Sequence, residues 1–205
     1  MSLNRKTFVT FLTLIRAPLV LLAAVCAVCH AWWPSWGLLA AFVALMGLSA
    51  LTDLFDGLLA RKWKVTSAFG ALADPLMDKV FYIATLPTAI FLAMMLGDVT
   101  HALVLLGLDI ASMLRDQWVS FLRSVGVMYG ADVKANWAGK LRTAMAFPII
   151  MAVYVDMGVR FMGVETGGTV RVGIFALEAA LLFITLLSAW IYTCGYWKHL
   201  KKATE

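Results

Sequence analysis

Residues 36–56 read WGLLAAFVALMGLSALTDLFD, an apolar run without a charge until Asp53 and Asp56 close it. A helix that crosses a bilayer needs about 20 mostly apolar residues, so this stretch is predicted to span and to end in two carboxylates. Similar windows fall at 8–30, 74–96, 101–122, 142–159 and 170–196. Six spans take up nearly all of the 205 residues, which predicts an all-α, polytopic membrane protein with residues 1–205 forming a single membrane domain. Composition agrees: 62% of residues are hydrophobic and 14% charged, and the mean hydropathy is +0.87, well outside the range of soluble domains.

The excess of 17 Lys and Arg over 12 Asp and Glu does not point to nucleic acid, because too little polar surface remains for such a partner. Its distribution gives an orientation instead. Arg5 and Lys6, then Arg61, Lys62 and Lys64, then Arg123, Lys134, Lys140 and Arg142, then Lys198, Lys201 and Lys202 all mark one side of a six-span layout, and the opposite connectors carry only Arg160. Positive charge collects on the cytoplasmic side, so both termini are predicted to be cytoplasmic in a cell (inner) membrane. Arg5 and Lys6 before an apolar stretch resemble a signal peptide, but Arg16 interrupts that stretch and it is read as a retained first helix. Trp32, Trp33, Trp36 and Trp197 sit at predicted span ends as interfacial anchors. Cys26, Cys29 and Cys194 lie in apolar runs and are read as buried thiols, and His30, His101 and His199 as surface residues at span edges.

Against this background Asp53, Asp56, Asp74 and Asp78 are four of the twelve acidic residues within 26 positions, at the predicted cytoplasmic ends of the second and third spans. An ionised carboxylate at membrane depth costs about 3 kcal/mol, and four together repel, so a cation must hold them. On a helix Asp53, Asp56, Gly57 and Ala60 share a face, as do Gly70, Asp74 and Asp78. Two such stripes can face each other as an oxygen-lined cage without cysteine or histidine, a donor set suited to two hard dications, Mg²⁺ or Mn²⁺. Gly57, Ala60 and Gly70 leave room for a phosphate chain, and Arg61 places a fork of donors beside it. Taken singly, Asp74 before Pro75 also has the form of a helix N-cap followed by a proline in the first turn.

Residues 53–78, DLFDGLLARKWKVTSAFGALADPLMD, fit D-x2-D-G-x2-A-R-x8-G-x3-D-x3-D at every fixed position. This resembles the signature of the CDP-alcohol phosphatidyltransferases, whose six-helix layout would cover the whole chain. The resemblance implies that Asp53, Asp56 and Asp74 are metal ligands and that Asp78 is the general base and a possible fourth ligand. It further implies that Gly57, Ala60, Arg61 and Gly70 bind the CDP-lipid, CDP-diacylglycerol, and that the protein is a homodimer. No Ser, Cys or His stands among the carboxylates as a nucleophile, so transfer is expected to be direct.

The acceptor alcohol is less constrained. Gly70–Lys79, then RDQWVSFLR at Arg115–Arg123 and GKLRT at Gly139–Thr143, resemble the members of this family that use glycerol 3-phosphate. A phosphorylated acceptor needs cations, and Arg115, Arg123, Lys140 and Arg142 are candidates to bind its phosphate. Topology marking and attraction to anionic lipid are the plainer reading of the same charges. Asp116 neighbours Arg115 but is expected to face elsewhere on the helix. T-x2-R at Thr13–Arg16 matches the first helix of these synthases, although Val9-Thr10 stand where Pro-Asn is usual and Asp116 where Glu is usual. Inositol phosphate, serine or a second lipid stay open as acceptors, and a small ion or proton carrier is the alternative from another class.

Overall fold

A computed structural model of the chain describes residues 2–64, 68–130 and 136–204; the side chains of 2–4, 68–72, 74, 75 and 204 lie outside the described residues. Among the described residues six helices follow one another: α1 (Ser2–Trp32), α2 (Trp36–Trp63), α3 (Ala68–Met95), α4 (Val99–Met128), α5 (Trp137–Phe161) and α6 (Gly168–Thr204). Each predicted span falls essentially inside one of them, and no strand occurs among the described residues. Among the described residues five helices are long and apolar enough to cross a membrane. The helix outside that set, α4, carries Asp109, Arg115, Asp116 and Arg123 along its length.

The helix ends follow from local chemistry. Ser35 caps α2 by accepting the Gly37 N–H at 3.2 Å, and Asn136 caps α5 by accepting the Gly139 N–H through Oδ1 at 2.7 Å. Gly97 and Gly163 stop α3 and α5 at positive φ, 71° and 77°. The next residues, Asp98 and Val164, reach back to the carbonyls of Ala93 and Val159 in the manner of a Schellman motif. Lys64 closes α2 at φ 51°, a left-handed position that is uncommon for a residue with a Cβ.

The start of α3 differs from expectation. The helix is already formed at Ala68, so Asp74 stands inside it and does not cap it. The reason lies in the motif's own period: Gly70, Asp74 and Asp78 can share a face only if the helix exists by Gly70.

The chain divides into two compact units. The first comprises residues 1–98 and 154–165, and the second 99–153 and 166–205. In the first, Phe42 and Tyr154 stack with ring centroids 4.6 Å apart, and the Tyr154 hydroxyl donates to the Thr85 carbonyl at 2.7 Å. In the second, Val119, Leu122, Tyr192 and Tyr196 form a buried cluster between α4 and α6.

The expectation for the histidines is overturned at two positions. His30 is buried: the Ser35 N–H donates to its Nδ1 at 3.1 Å, which leaves Nε2 to donate to the Gly158 carbonyl at 2.9 Å. His101 is buried as well and donates from Nε2 to Glu178 Oε1 at 2.7 Å. Beyond the nearby Ser35, the partners Gly158 and Glu178 stand 128 and 77 positions away, which the local sequence does not reveal. Cys26 and Cys29 are half-buried and Cys194 is exposed, because the apolar runs that hold them turn a face outward. The four predicted tryptophan anchors are all exposed.

Candidate active site

The acidic site is assembled in the first unit by α1, α2 and α3. Asp53 and Asp56 are one turn apart near the end of α2, and Asp78 projects from α3. All three meet the guanidinium of Arg16 on α1. Its Nη2 pairs with Asp53 Oδ1 and stands 3.3 Å from Asp56 Oδ2, and its Nη1 donates to Asp78 Oδ1 at 3.1 Å. One turn earlier on the same face of α1, the Thr13 hydroxyl donates to Asp56 Oδ2 at 2.8 Å.

Burial grades the three acids. Thr13, Arg16 and Asp56 are buried and form a floor, whereas the Asp53 and Asp78 side chains are 53% and 51% exposed and form an accessible rim. Gly57 follows Asp56, and a Cβ added there would lie 3.8 Å from Arg61 Nη2, so the Arg61 guanidinium folds back along the small-residue face. Ala60 is half-buried on the same stretch. Gly70 and Asp74 lie on α3, but their side-chain surroundings fall outside the described residues.

The donor set fits a hard dication, since it offers carboxylate oxygens with a threonine hydroxyl alongside and neither sulfur nor imidazole. Among the described residues no three metal-binding side chains close on one point; Asp53, Asp56 and Asp78 close on the broader guanidinium, a cation already in place. Sequence reading missed Arg16 and Thr13 as members of this site. The signal was present: an arginine inside an apolar span needs a partner, and T-x2-R puts hydroxyl and guanidinium on one face.

The second unit holds a basic cluster at α4, α5 and α6. Arg142 forms a two-pronged contact with Asp116, from Nη1 to Oδ1 at 2.9 Å and from Nη2 to Oδ2 at 3.2 Å. Arg115 donates to the same Asp116 Oδ1 at 2.8 Å and, from Nη2, to the Ser188 hydroxyl at 2.6 Å. Contrary to expectation, Asp116 does meet its neighbour: the Cβ atoms diverge, but the arginine stem is long enough to bring its fork back. Arg123 donates to the Tyr192 hydroxyl at 2.8 Å, and the Arg115 and Arg123 guanidiniums lie 5.3 and 5.4 Å from the centroid of that ring. Gly139 leaves room beside this cluster: a Cβ there would stand 3.1 Å from Arg115 Nη2, so the end of that side chain would have to give by a few tenths of an ångström.

Three of the four predicted acceptor residues are therefore brought together around Asp116 and Tyr192, while Lys140 is exposed on α5. Lys134 lies outside the described residues. Ser188 and Tyr192 had no local signal in the sequence, being an ordinary serine and tyrosine in an apolar helix.

Among the described residues, long apolar helices that gather carboxylates in one unit and arginines in the other suit a membrane protein with charged functional sites. The family model of CDP-alcohol phosphatidyltransferase matches residues 6–191. The chain belongs to this family and is a phosphatidyltransferase of the CDP-alcohol type. It is similar to the "Probable phosphatidylglycerophosphate synthase" of Mycobacterium tuberculosis, with 29% identity over 185 residues covering 90% of this chain and 78% of the relative. It is also similar to proteins named "CDP-diacylglycerol--glycerol-3-phosphate 3-phosphatidyltransferase". That of Sodalis glossinidius is 33% identical over 70% of this chain and 72% of its own length. That of Pectobacterium atrosepticum is 31% identical over 70% and 74%.

Proposed function

We propose that this protein transfers the phosphatidyl group of CDP-diacylglycerol to glycerol 3-phosphate, giving phosphatidylglycerophosphate and CMP in phospholipid biosynthesis. The observation that carries the reading is the convergence of Asp53, Asp56 and Asp78, all motif positions, on one cationic point from two helices. The family match and the relatives' names agree with it.

In this reading Asp53, Asp56, Asp74 and Asp78 hold two Mg²⁺ or Mn²⁺ ions, which when bound supply neutralisation of the diphosphate charge. Gly57, Ala60, Arg61 and Gly70 bind the CDP-lipid, with the small residues admitting the phosphates and Arg61 offering its fork. Arg115, Arg123, Lys140 and Arg142 bind the acceptor phosphate. Asp78, half exposed at the rim, takes the proton of the attacking hydroxyl as the new P–O bond forms and the bond to CMP breaks. Positioning and electrostatics carry most of the rate enhancement, and no covalent intermediate is invoked.

The same proposal places six spans in the cell (inner) membrane, with both termini and the active site facing the cytoplasm, and takes residues 1–205 as one catalytic domain acting as a homodimer. For α4 the support is the direction of its charges. Leu103, Leu106, Ile110 and Leu114 are exposed, while Asp109, Arg115 and Asp116 turn inward, an arrangement suited to lipid outside and polar contacts inside.

The test is purified protein with CDP-diacylglycerol and Mg²⁺, offered glycerol 3-phosphate, inositol phosphate and serine in parallel. CMP release is expected only with an acceptor, fastest with glycerol 3-phosphate, and to stop on chelation. Metal-independent release would overturn the mechanism, and a faster reaction with another alcohol would overturn the acceptor.

A further inference from the structure

Arg16 is not one of the eight fixed positions of the acidic motif, yet among the described residues its guanidinium touches the motif carboxylates Asp53, Asp56 and Asp78. We propose that Arg16 is a resident counter-cation: it holds the acidic site together when dications are absent and surrenders the carboxylate oxygens to them when they bind. The inference rests on the metal-dependent reading of the site given above.

The geometry carries the first half. Arg16 lies in α1 with its side chain 6% exposed, a position where a lone charge is unfavourable, so the carboxylates stabilise it as much as it stabilises them. Asp56 is buried beside it, and removing one member of such a pair would leave the other uncompensated. Two nitrogens of one planar fork reach Asp53 and Asp56 on α2 and Asp78 on α3, so a single side chain ties three helices at the point of greatest like-charge repulsion. A lysine ammonium, a single point charge, lacks this reach. Thr13 holds Asp56 Oδ2 from the same face of α1, keeping the buried acid oriented whichever cation is present.

The second half follows from competition. A hard dication binds through carboxylate oxygens, and the guanidinium already occupies Asp53 Oδ1, Asp56 Oδ2 and Asp78 Oδ1. Two of the three acids are half exposed, so an ion arriving from water meets the rim before the floor. Any group that stabilises the metal-free state more than the loaded one weakens metal binding by the same free energy. Arg16 therefore sets how much free metal the enzyme requires, and it protects the unloaded site from its own repulsion.

The experiment uses the full chain in detergent, wild type against Arg16→Gln and Arg16→Lys. Mn²⁺ binding is read by electron paramagnetic resonance, and thermal unfolding is followed with Mg²⁺ and with chelator. Arg16→Gln is expected to bind Mn²⁺ about tenfold more tightly, a typical coupling factor. It should unfold at lower temperature in chelator and regain most of that loss in Mg²⁺, so that its Mg²⁺-induced stabilisation exceeds that of wild type. Arg16→Lys should fall between. If Arg16→Gln folds only with metal, it is purified in Mg²⁺ and its unfolding after chelation is timed; faster unfolding than wild type supports the proposal. Unchanged or weaker Mn²⁺ affinity, or equal unfolding rates after chelation, overturns it. Wild type that binds no Mn²⁺ would instead sink the metal-dependent reading and this inference with it, whereas normal binding with an unresponsive Arg16→Gln sinks the inference alone.

Discussion

The two charged clusters are built alike with the signs exchanged. Among the described residues, three carboxylates surround one arginine in the first unit, and in the second two arginines clasp one aspartate while a third lies against a tyrosine. Each majority charge carries its own minority counter-charge, because a low-dielectric setting makes a like-charged group without a partner costly. The difference is in exposure. Asp53 and Asp78 are half open, whereas Arg142 is buried and Arg115 nearly so. An open acidic rim suits groups that must meet incoming ligands and pass a proton, and a more enclosed basic cluster suits recognition of an anion by fixed forks.

If that division holds, damage to the acidic cluster should appear in turnover and damage to the basic one in acceptor affinity. The largest effect is expected from Asp78→Asn, which keeps the shape and removes the proposed base. CMP release should fall by about 10²- to 10⁴-fold, with the CDP-lipid still bound in an equilibrium assay. Unchanged turnover would remove Asp78 from the chemistry.

Next in size is Arg115→Gln. A charge-assisted hydrogen bond contributes about 1.5–3 kcal/mol, so KM for glycerol 3-phosphate should rise about 10- to 100-fold while KM for the CDP-lipid stays near wild type. Asp116 keeps Arg142 in this variant, so the fold should tolerate the change. A drop in kcat at unaltered acceptor KM would erase the contrast between the clusters.

Much of this was legible in the sequence, but unevenly. Six apolar windows located the six helices among the described residues, since a long apolar run marks a helix without knowledge of its neighbours. The majority charges were legible too: of the four aspartates at helical spacing that stand out in a chain that is 14% charged, Asp53, Asp56 and Asp78 stand in the described cluster, and the Asp74 side chain lies outside the described residues. The counter-charges were not. Arg16 meets acids 40 and 62 residues away, and that pairing exists only once α1 packs beside α2 and α3. Asp116 was set aside because adjacent helical residues diverge, a rule about Cβ directions that a long arginine escapes. Its two-pronged contact with Arg142, 26 residues on, needs the tertiary fold. His30 and His101 failed for the same reason, since polar side chains at span edges look solvent-facing until their partners are placed.

The smallest effect on activity, and a control on the comparison, is expected from Gly158→Ala. This residue belongs to the first unit but touches neither cluster; its carbonyl accepts from His30 Nε2, and an added Cβ would lie 2.6 Å from Leu39 Cδ1. Overpacking of this kind costs about 1–3 kcal/mol. The atoms met are the methyl ends of a flexible leucine, beside a small cavity lined by Leu39, Phe42 and Tyr154, which favours the lower end of that range. Gly158→Ala should lower the unfolding temperature while leaving kcat within about twofold of wild type well below it, and Leu39→Ala in the same chain should relieve part of the clash, giving a non-additive double variant. A large loss of turnover at intact stability would mean that packing around Gly158 helps to aim the carboxylates. The acidic cluster would then depend on the whole of its unit rather than on the local tie made by Arg16 and Thr13.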